Sequence, residues 1–267
     1  MTEITVLGSG SRGNCLAIRS ERQLLLVDAG FSAREIERRA SAAALDLGEL
    51  MAVALTHEHG DHAAGVAQLA RRFAVPVVSS PGTWTALQTR RGRAAHFPLT
   101  MTARVELGPF RIEAALTSHD AAEPLALAVS TGDGRSVGIA YDLGRPTAAV
   151  RFLLRGRSAL VLEANHDDVL LRTSGYPPAV QQRIAGAGGH LSNRAAAELL
   201  AELVHPALRV VVLAHLSERC NTEAQARATV EPALMSAGYA GVVHVARQGA
   251  PVGPYAVPAG GALELFA

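Results

Sequence analysis

Short apolar runs recur along the chain, and most of them stop at a turn signal or at a single polar residue. Residues 3–8, 15–18, 23–27, 51–55, 76–80, 104–107, 110–116, 125–131, 136–141, 159–162, 208–214 and 242–246 read as strands, because apolar runs of this length bounded by Gly, Pro, Asn and Asp fit buried strands. Helical spacing appears at 32–44, 63–70, 82–87, 146–154, from Pro177-Pro178 to about Ile184, 194–203 and roughly 222–236. Ser32 stands at one helix start, and Ser192 or Asn193 at another, as N-caps. Gly108-Pro109 and Asp133-Gly134 mark hairpin connections, and residues 242–246 are the strand expected to close the fold. The pattern predicts two facing sheets with helices outside, in one domain spanning residues 1–267, with no linker, tandem repeat or low-complexity tract.

Five of the strands deliver a residue able to ligate a metal: Asp28, His57, His119, Asp142 and His215. Polar groups at strand ends of a layered sheet converge on one edge, where the scaffold holds them rigidly. The densest cluster is Thr56-His57-Glu58-His59-Gly60-Asp61-His62, between an apolar strand and a helix. His57 and His59 are two apart, so in extended backbone they share a side, while Asp61 and His62 open the helix and aim at a second point. Imidazole and carboxylate so placed suit two adjacent divalent metals.

Composition narrows the alternatives. Hydrophobic residues make 49% and charged residues 18% of the chain, which is globular rather than disordered. A net charge of +1 gives no global field toward polyanions, so a nucleic-acid groove would need local arginines, with Arg12, Arg90, Arg91 and Arg93 as candidates. Every one of the 25 basic residues is Arg, which fits codon bias with the abundant Ala and, as the second reading, guanidinium forks for phosphate. Trp84 beside Arg90, Arg91 and Arg93 reads first as a core residue next to a solvated charge run, and second as a nucleic-acid contact. Cys15 and Cys220 alone make no disulfide framework. No apolar run reaches the ~18 residues of a membrane span, and the N-terminus lacks a secretion signal, so a cytoplasmic protein is expected. The loop Gly8-Ser9-Gly10-Ser11-Arg12-Gly13-Asn14 is either a phosphate cradle or a tight hairpin connection.

The cluster at 56–62 resembles the signature of the metallo-β-lactamase superfamily, and Asp28, His119, Asp142 and His215 match its other ordered motifs across nearly the whole chain. The opening loop with Cys15, Ser118-His119-Asp120-Ala121-Ala122-Glu123-Pro124, Glu163-Ala164-Asn165-His166-Asp167 and His190-Leu191-Ser192-Asn193 are similar to the YycJ/WalJ (VicX) branch. The resemblance implies a four-layer αβ/βα sandwich with two mixed sheets. It implies two divalent ions, zinc or alternatively manganese. His57, His59 and His119 would take one ion, Asp61, His62 and His215 the other, and Asp142 would bridge them. Asp28 would hold a ligand imidazole or the bridging water from behind.

Superfamily members cleave lactams, thioesters and phosphodiesters, so the motif leaves the substrate open. Glu163 after a strand and Gly189-His190-Leu191-Ser192 at a helix start resemble the paired Glu and Gly-His-Ser motifs of transfer-RNA 3′-processing nucleases. By that resemblance His190 protonates the leaving group with Glu163 behind it, a metal-bridging hydroxide is the nucleophile, and Asp61 counts with His190 and Glu163 as catalytic. Ser192, Asn193 and Arg12 are expected to bind substrate phosphate. The branch implies a nuclease, with 5′-to-3′ exonuclease activity on DNA. A small cyclic or mononucleotide phosphodiesterase and a glyoxalase-II-like thioester hydrolase are the alternatives. The segment 143–214 leaves no room for the large inserted domain of RNA-cleaving β-CASP enzymes.

Overall fold

A computed structural model describes residues 1–259; residues 260–267, the end of the span read as one domain, lie outside the described residues. Two seven-stranded sheets face each other. The first runs, edge to edge, Val252–Val257, Thr2–Gly8, Cys15–Ser20, Gln23–Val27, Leu50–Ala54, Val77–Ser79, His96–Pro98. The second runs Val242–Val245, Val210–Ala214, Ala159–Glu163, Ser136–Ala140, Leu125–Thr131, Phe110–Leu116, Val105–Leu107. Each sheet is antiparallel through its hairpins and turns parallel where helices make the crossovers, as at Gln23–Val27 with Leu50–Ala54 and at Ser136–Ala140 with Ala159–Glu163.

The alternation of side chains along each strand builds the layers. Leu25 and Val27 point to the core between the sheets, where they join Ile4, Ile18, Leu127, Val129, Val161 and Val212. Leu24 and Leu26 point outward and pack with Ile36, Val66 and Leu69 of the helices Ala33–Ala42 and Val66–Phe73. Leu160 and Leu162 likewise pack outward on Val150, Leu200 and Val230, from the helices Ala148–Leu154, Asn193–Leu203 and Glu223–Ser236. Strands covered on both faces must be apolar throughout, which is why the runs in the sequence are continuous. The helices outside two facing sheets make the expected four-layer sandwich.

Three elements differ from the sequence expectation. The strand 242–246 does not close the fold: the chain crosses to the other sheet, and Val252–Val257 pairs antiparallel with Thr2–Gly8. Its Gly and Pro interrupt the apolar pattern, as an edge strand allows. His96–Pro98 is a second short edge strand with too little pattern to read. The helix after the histidine cluster is two pieces, Gly60–Ala63 and Val66–Phe73, broken at Gly65, where a Cβ would come within 2.3 Å of the Phe31 carbonyl oxygen. No helix among the described residues is long and apolar enough to cross a membrane.

Candidate metal centre

Asp28, Asp142 and His215 follow the ends of their strands, and all three adopt left-handed backbone, with φ of 62°, 47° and 55°. Such conformations are costly for residues with a Cβ and persist where the surroundings impose them. Here the kink turns each side chain off its strand toward the same edge of the sandwich. His57 and His59 arrive from the strand Leu50–Ala54, Asp61 and His62 from the one-turn helix after it, and His119 from the strand Phe110–Leu116.

Buried acceptors behind the imidazoles set which nitrogen faces the centre. Asp28, wholly buried, lies 2.7 Å from His62 Nδ1, and its carboxylate accepts from the Thr56 hydroxyl and the Thr56 amide. The Thr56 oxygen in turn lies 3.0 Å from His57 Nδ1. His119 Nδ1 lies 3.2 Å from the Gly189 carbonyl, and His215 Nδ1 2.9 Å from Glu163. In each ring the Nδ1–H donates outward, so Nε2 presents a lone pair inward. His59 is the exception, bringing Nδ1 to within 3.3 Å of His119 Nε2.

The inward atoms fit cations. His57 Nε2, His215 Nε2 and Asp142 Oδ2 are buried without a hydrogen-bond partner. Unpaired buried polar atoms cost about 1–3 kcal/mol each, and here they converge. Asp142 Oδ2 is 2.7 Å from His62 Nε2 and 3.6 Å from His57 Nε2; Asp61 Oδ2 is 3.5 Å from His62 Nε2 and 3.6 Å from His215 Nε2. Lone pairs and carboxylate oxygens this close repel unless a proton or a metal ion lies between them. Among the described residues, four groups are close enough to share an ion: His57/His59/His119, Asp61/His62/His215, His57/His62/Asp142 and Asp142/Glu163/His190/His215. The first two match the expected ligand sets, and Asp142 belongs to both of the others.

Electrostatics agree. Burial holds the His57 pKa well below its ordinary value, which leaves the ring neutral and ready to ligate. Burial opposes charge on His62, but Asp28 and Asp142 outweigh it and raise its pKa well above normal. Burial likewise opposes charge on His215, and Asp142, Asp61 and Glu163 push its pKa up to about 9. Burial would raise the Asp61 pKa, but bonds to His215 and His62 hold it far below the carboxylate range.

Glu163, wholly buried, serves two rings. One oxygen lies 2.8 Å from His190 Nδ1 and 2.9 Å from His215 Nδ1; the other accepts from the amides of Leu143 and Leu191 at 2.7 and 3.0 Å. Against its burial, the histidines pull its pKa down to about 2. His190, with its Nδ1 also 3.0 Å from Asp142 Oδ1, has its pKa pushed up to about 10, because Glu163 and Asp142 outweigh burial.

The expected substrate contacts Ser192, Asn193 and Arg12 are all engaged within the protein. Ser192 Oγ accepts from the Ala195 amide as the helix cap, the Asn193 amide donates to the His166 carbonyl, and the Asn193 side chain is buried against Asn221. The Ser192 oxygen and the Asn193 side chain thus serve the helix start and the packing around it. Arg12 pairs at the surface with Glu218, and its amide donates to Gln248. Of the loop 8–14, Ser11 lines the cleft and Asn14 matters most: its amide nitrogen lies 3.1 Å from His62 Nε2 and donates to the Asp61 carbonyl, and its oxygen accepts from Ser9, whose hydroxyl receives the His215 amide. The loop thus ties down the backbone that carries Asp61. Glu58 is no ligand; it accepts from the Ala122 amide and ties the cluster to the loop carrying His119.

The remaining histidines have other surroundings. His96 stacks on Trp84 at 4.3 Å beside Arg91, His205 bonds the Arg157 carbonyl, and His244 stacks on Tyr255 across the sheet edges. Trp84 packs partly buried against the outer core, in line with the first reading of it. His166 is buried behind the site with Nδ1 unpaired. Both cysteines are free and buried. The centre opens into a cleft of about 460 Å³ lined by His59, Asp61, His119, Asp142, His190 and His215. A larger cavity, about 770 Å³ beside the helix Val66–Phe73, contains none of these residues.

A two-sheet sandwich carrying a histidine–aspartate cluster at one edge is the framework of a metal-dependent hydrolase. The chain belongs to the metallo-beta-lactamase superfamily, whose family model matches residues 8–161. It is 33% identical to Exodeoxyribonuclease YycJ of Bacillus anthracis over 88% of this chain and 90% of that protein. It is 29% identical to Exodeoxyribonuclease WalJ of Streptococcus pneumoniae, over 87% and 88%. The crystal structure of the metallo-beta-lactamase fold protein YhfI from Bacillus subtilis shares the fold, with a TM-score of 0.71 over 94% of this chain and 98% of that one at 18% identity.

Proposed function

We propose that this hydrolase is a nuclease that cleaves DNA phosphodiesters, progressing from the 5′ end, with two divalent ions, zinc by preference, in the cytoplasm. The observation that carries the reading is the shared carboxylate of Glu163, which fixes a ligand histidine and His190 together beside the cluster. A thioester hydrolase has no use for a second imidazole held in this way. The relatives named as exodeoxyribonucleases support DNA as substrate.

His57, His59 and His119 would hold one ion and Asp61, His62 and His215 the other, with the Asp142 carboxylate available to both. When bound, the two ions supply Lewis-acid charge at the scissile phosphate and an activated water. The protein does the rest. Asp28 and Thr56 keep the ligand rings of His62 and His57 in one tautomer and one orientation. His190 enters the reaction as the imidazolium, its Nδ1–H donated to Glu163 and Asp142, and gives the proton at Nε2 to the departing sugar oxygen. Glu163 keeps its charge throughout.

The test is hydrolysis of 5′-labelled single- and double-stranded DNA by metal-loaded protein, beside bis(p-nitrophenyl) phosphate and a glutathione thioester, with His190→Ala in parallel. We expect release of 5′ nucleotides and a fall in kcat of roughly 10²–10⁴ in the variant, with metal content retained. Turnover of bis(p-nitrophenyl) phosphate with intact DNA would indicate a small phosphodiester. Thioester cleavage indifferent to His190 would overturn the reading.

A further inference from the structure

The far wall of the cleft is built by a segment that contributes nothing to the core. The helix Pro178–Ala185 has no buried residue, although it lies between two strands of the second sheet in sequence. Its C-terminal end is nonetheless fixed to the centre. The His190 amide donates to the Ile184 carbonyl at 2.8 Å, the Asp120 amide to Gly188 at 3.2 Å, and the Ser118 hydroxyl to Ala187 at 2.6 Å. The turn also passes so close to Gly144 that a Cβ there would meet the Ala187 oxygen at 2.2 Å. A helix that buries nothing yet is pinned beside the centre has its exposed face available to substrate.

Four side chains of this segment line the same cleft as the histidine–aspartate cluster, Tyr176, Val180, Arg183 and Ile184, and of these Tyr176 and Arg183 carry polar or aromatic recognition groups. Arg183 is the one arginine on the cleft, and among the described residues its guanidinium has neither an ion pair nor a hydrogen bond. By contrast Arg194, at the start of the next helix, is paired with Asp168 and Glu198. Tyr176 is half-buried, and the guanidinium of Arg219 lies over its ring at 4.4 Å, itself fastened by two bonds to the Ser174 carbonyl. The ring is thereby held from one side while it lines the cleft. A free guanidinium recognises a phosphate bidentately, and a fixed aromatic face stacks a base without regard to sequence. The cleft has the volume of a small-molecule site, enough for about one or two nucleotides.

We propose that Arg183 and Tyr176 form a subsite for single-stranded nucleic acid beside the scissile position, Arg183 pairing with a neighbouring backbone phosphate and Tyr176 stacking a base. This rests on the nuclease reading and names the part of the substrate that the cleft holds. Both residues are substrate-positioning groups, and the chemistry stays with the centre. The subsite selects an unpaired strand end, so duplex substrates must fray before they enter.

The experiment compares Arg183→Ala, Arg183→Lys, Tyr176→Ala and Tyr176→Phe with wild type and with Arg34→Ala, a charge control on the outer helix. Binding of a fluorescein-labelled single-stranded oligonucleotide is followed by anisotropy on EDTA-treated protein across a salt series. Cleavage of the same strand and of bis(p-nitrophenyl) phosphate is followed on zinc-loaded protein. We expect Arg183→Ala and Tyr176→Ala each to weaken binding and raise KM for the strand by roughly tenfold or more, a loss about tenfold beyond any on bis(p-nitrophenyl) phosphate. The slope of log Kd against log salt falls by about 0.7 in Arg183→Ala. Tyr176→Phe stays within about twofold of wild type because it keeps the stacking face, and Arg183→Lys lies between. Wild-type cleavage of the strand with unchanged KM, Kd and salt slope in both alanine variants would overturn the subsite and leave the nuclease reading standing. No binding or cleavage of the strand by wild type would overturn both.

Discussion

Glu163 shows how much one residue can organise. Its carboxylate takes four N–H donors, from Leu143, Leu191, His190 and His215, without exposure to solvent. Glu163→Gln would turn an NH₂ group toward two of these donors. In metal-free protein at neutral pH we expect a loss of about 1–3 kcal/mol, read by urea unfolding. The sign with pH follows from the depressed pKa. The folded carboxyl titrates at about 2 against an ordinary 4.5, so its stabilisation is present above 4.5 and lost as pH falls toward 2. The gap between wild type and Glu163→Gln should therefore narrow over that window; a constant gap would mean that the charge is not what stabilises. The cysteines give a second check. Cys15 and Cys220 are both buried, and burial raises the Cys15 thiol pKa, so Ellman's reagent should find neither in the folded protein and both in urea. Fast labelling without denaturant would contradict that burial.

At the scale of elements, the site depends on how strands and helices end. Asp28, Asp142 and His215 all leave their strands in left-handed backbone, which no local sequence signal announces for His215. The helix Asn193–Leu203 is the converse, because its cap reads directly from Ser192. Since the Ser192 hydroxyl is taken up by the Ala195 amide, Ser192→Ala should cost about 1 kcal/mol in urea unfolding, with any loss of nuclease activity matching the loss of folded protein. A large rise in KM for DNA in a fully folded Ser192→Ala protein would restore Ser192 as a substrate contact. The edge strand Val252–Val257 was illegible for a related reason. Its apolar pattern is weak, and its place is set by the antiparallel partner Thr2–Gly8, from the other end of the chain.

For the whole molecule, two sheets bring residues from 28 to 215 to one edge and leave lone pairs and carboxylates facing one another. Protons must occupy part of that space when metal is removed. His215 retains its proton up to about pH 9 in the metal-free protein, so stability from its charged form is present below the ordinary 6.5 and fades as pH rises through 9. A metal ion bound there must displace such protons. We expect zinc added to EDTA-treated protein to raise Tm, release protons into weakly buffered solution, and bind more tightly as pH increases toward 9. A Tm indifferent to zinc, with no proton release, would contradict the ligand set.

The sequence by itself determined the layered architecture, because strands covered on both faces must be apolar along their length and such runs are visible without a partner. It also carried the dense cluster from His57 to His62, where spacing within one turn already confines the donors. Only the tertiary structure decided what stands behind those donors. Asn14 ties down the Asp61 carbonyl, Thr56 relays Asp28 to His57, and Glu163 serves two rings at once. It also decided that Ser192 and Asn193 turn inward, and that Tyr176 and Arg183 line the cleft. Periodicity records which face of an element is buried. It does not record which distant side chain meets that face, because such meetings depend on how the sheets and turns pack.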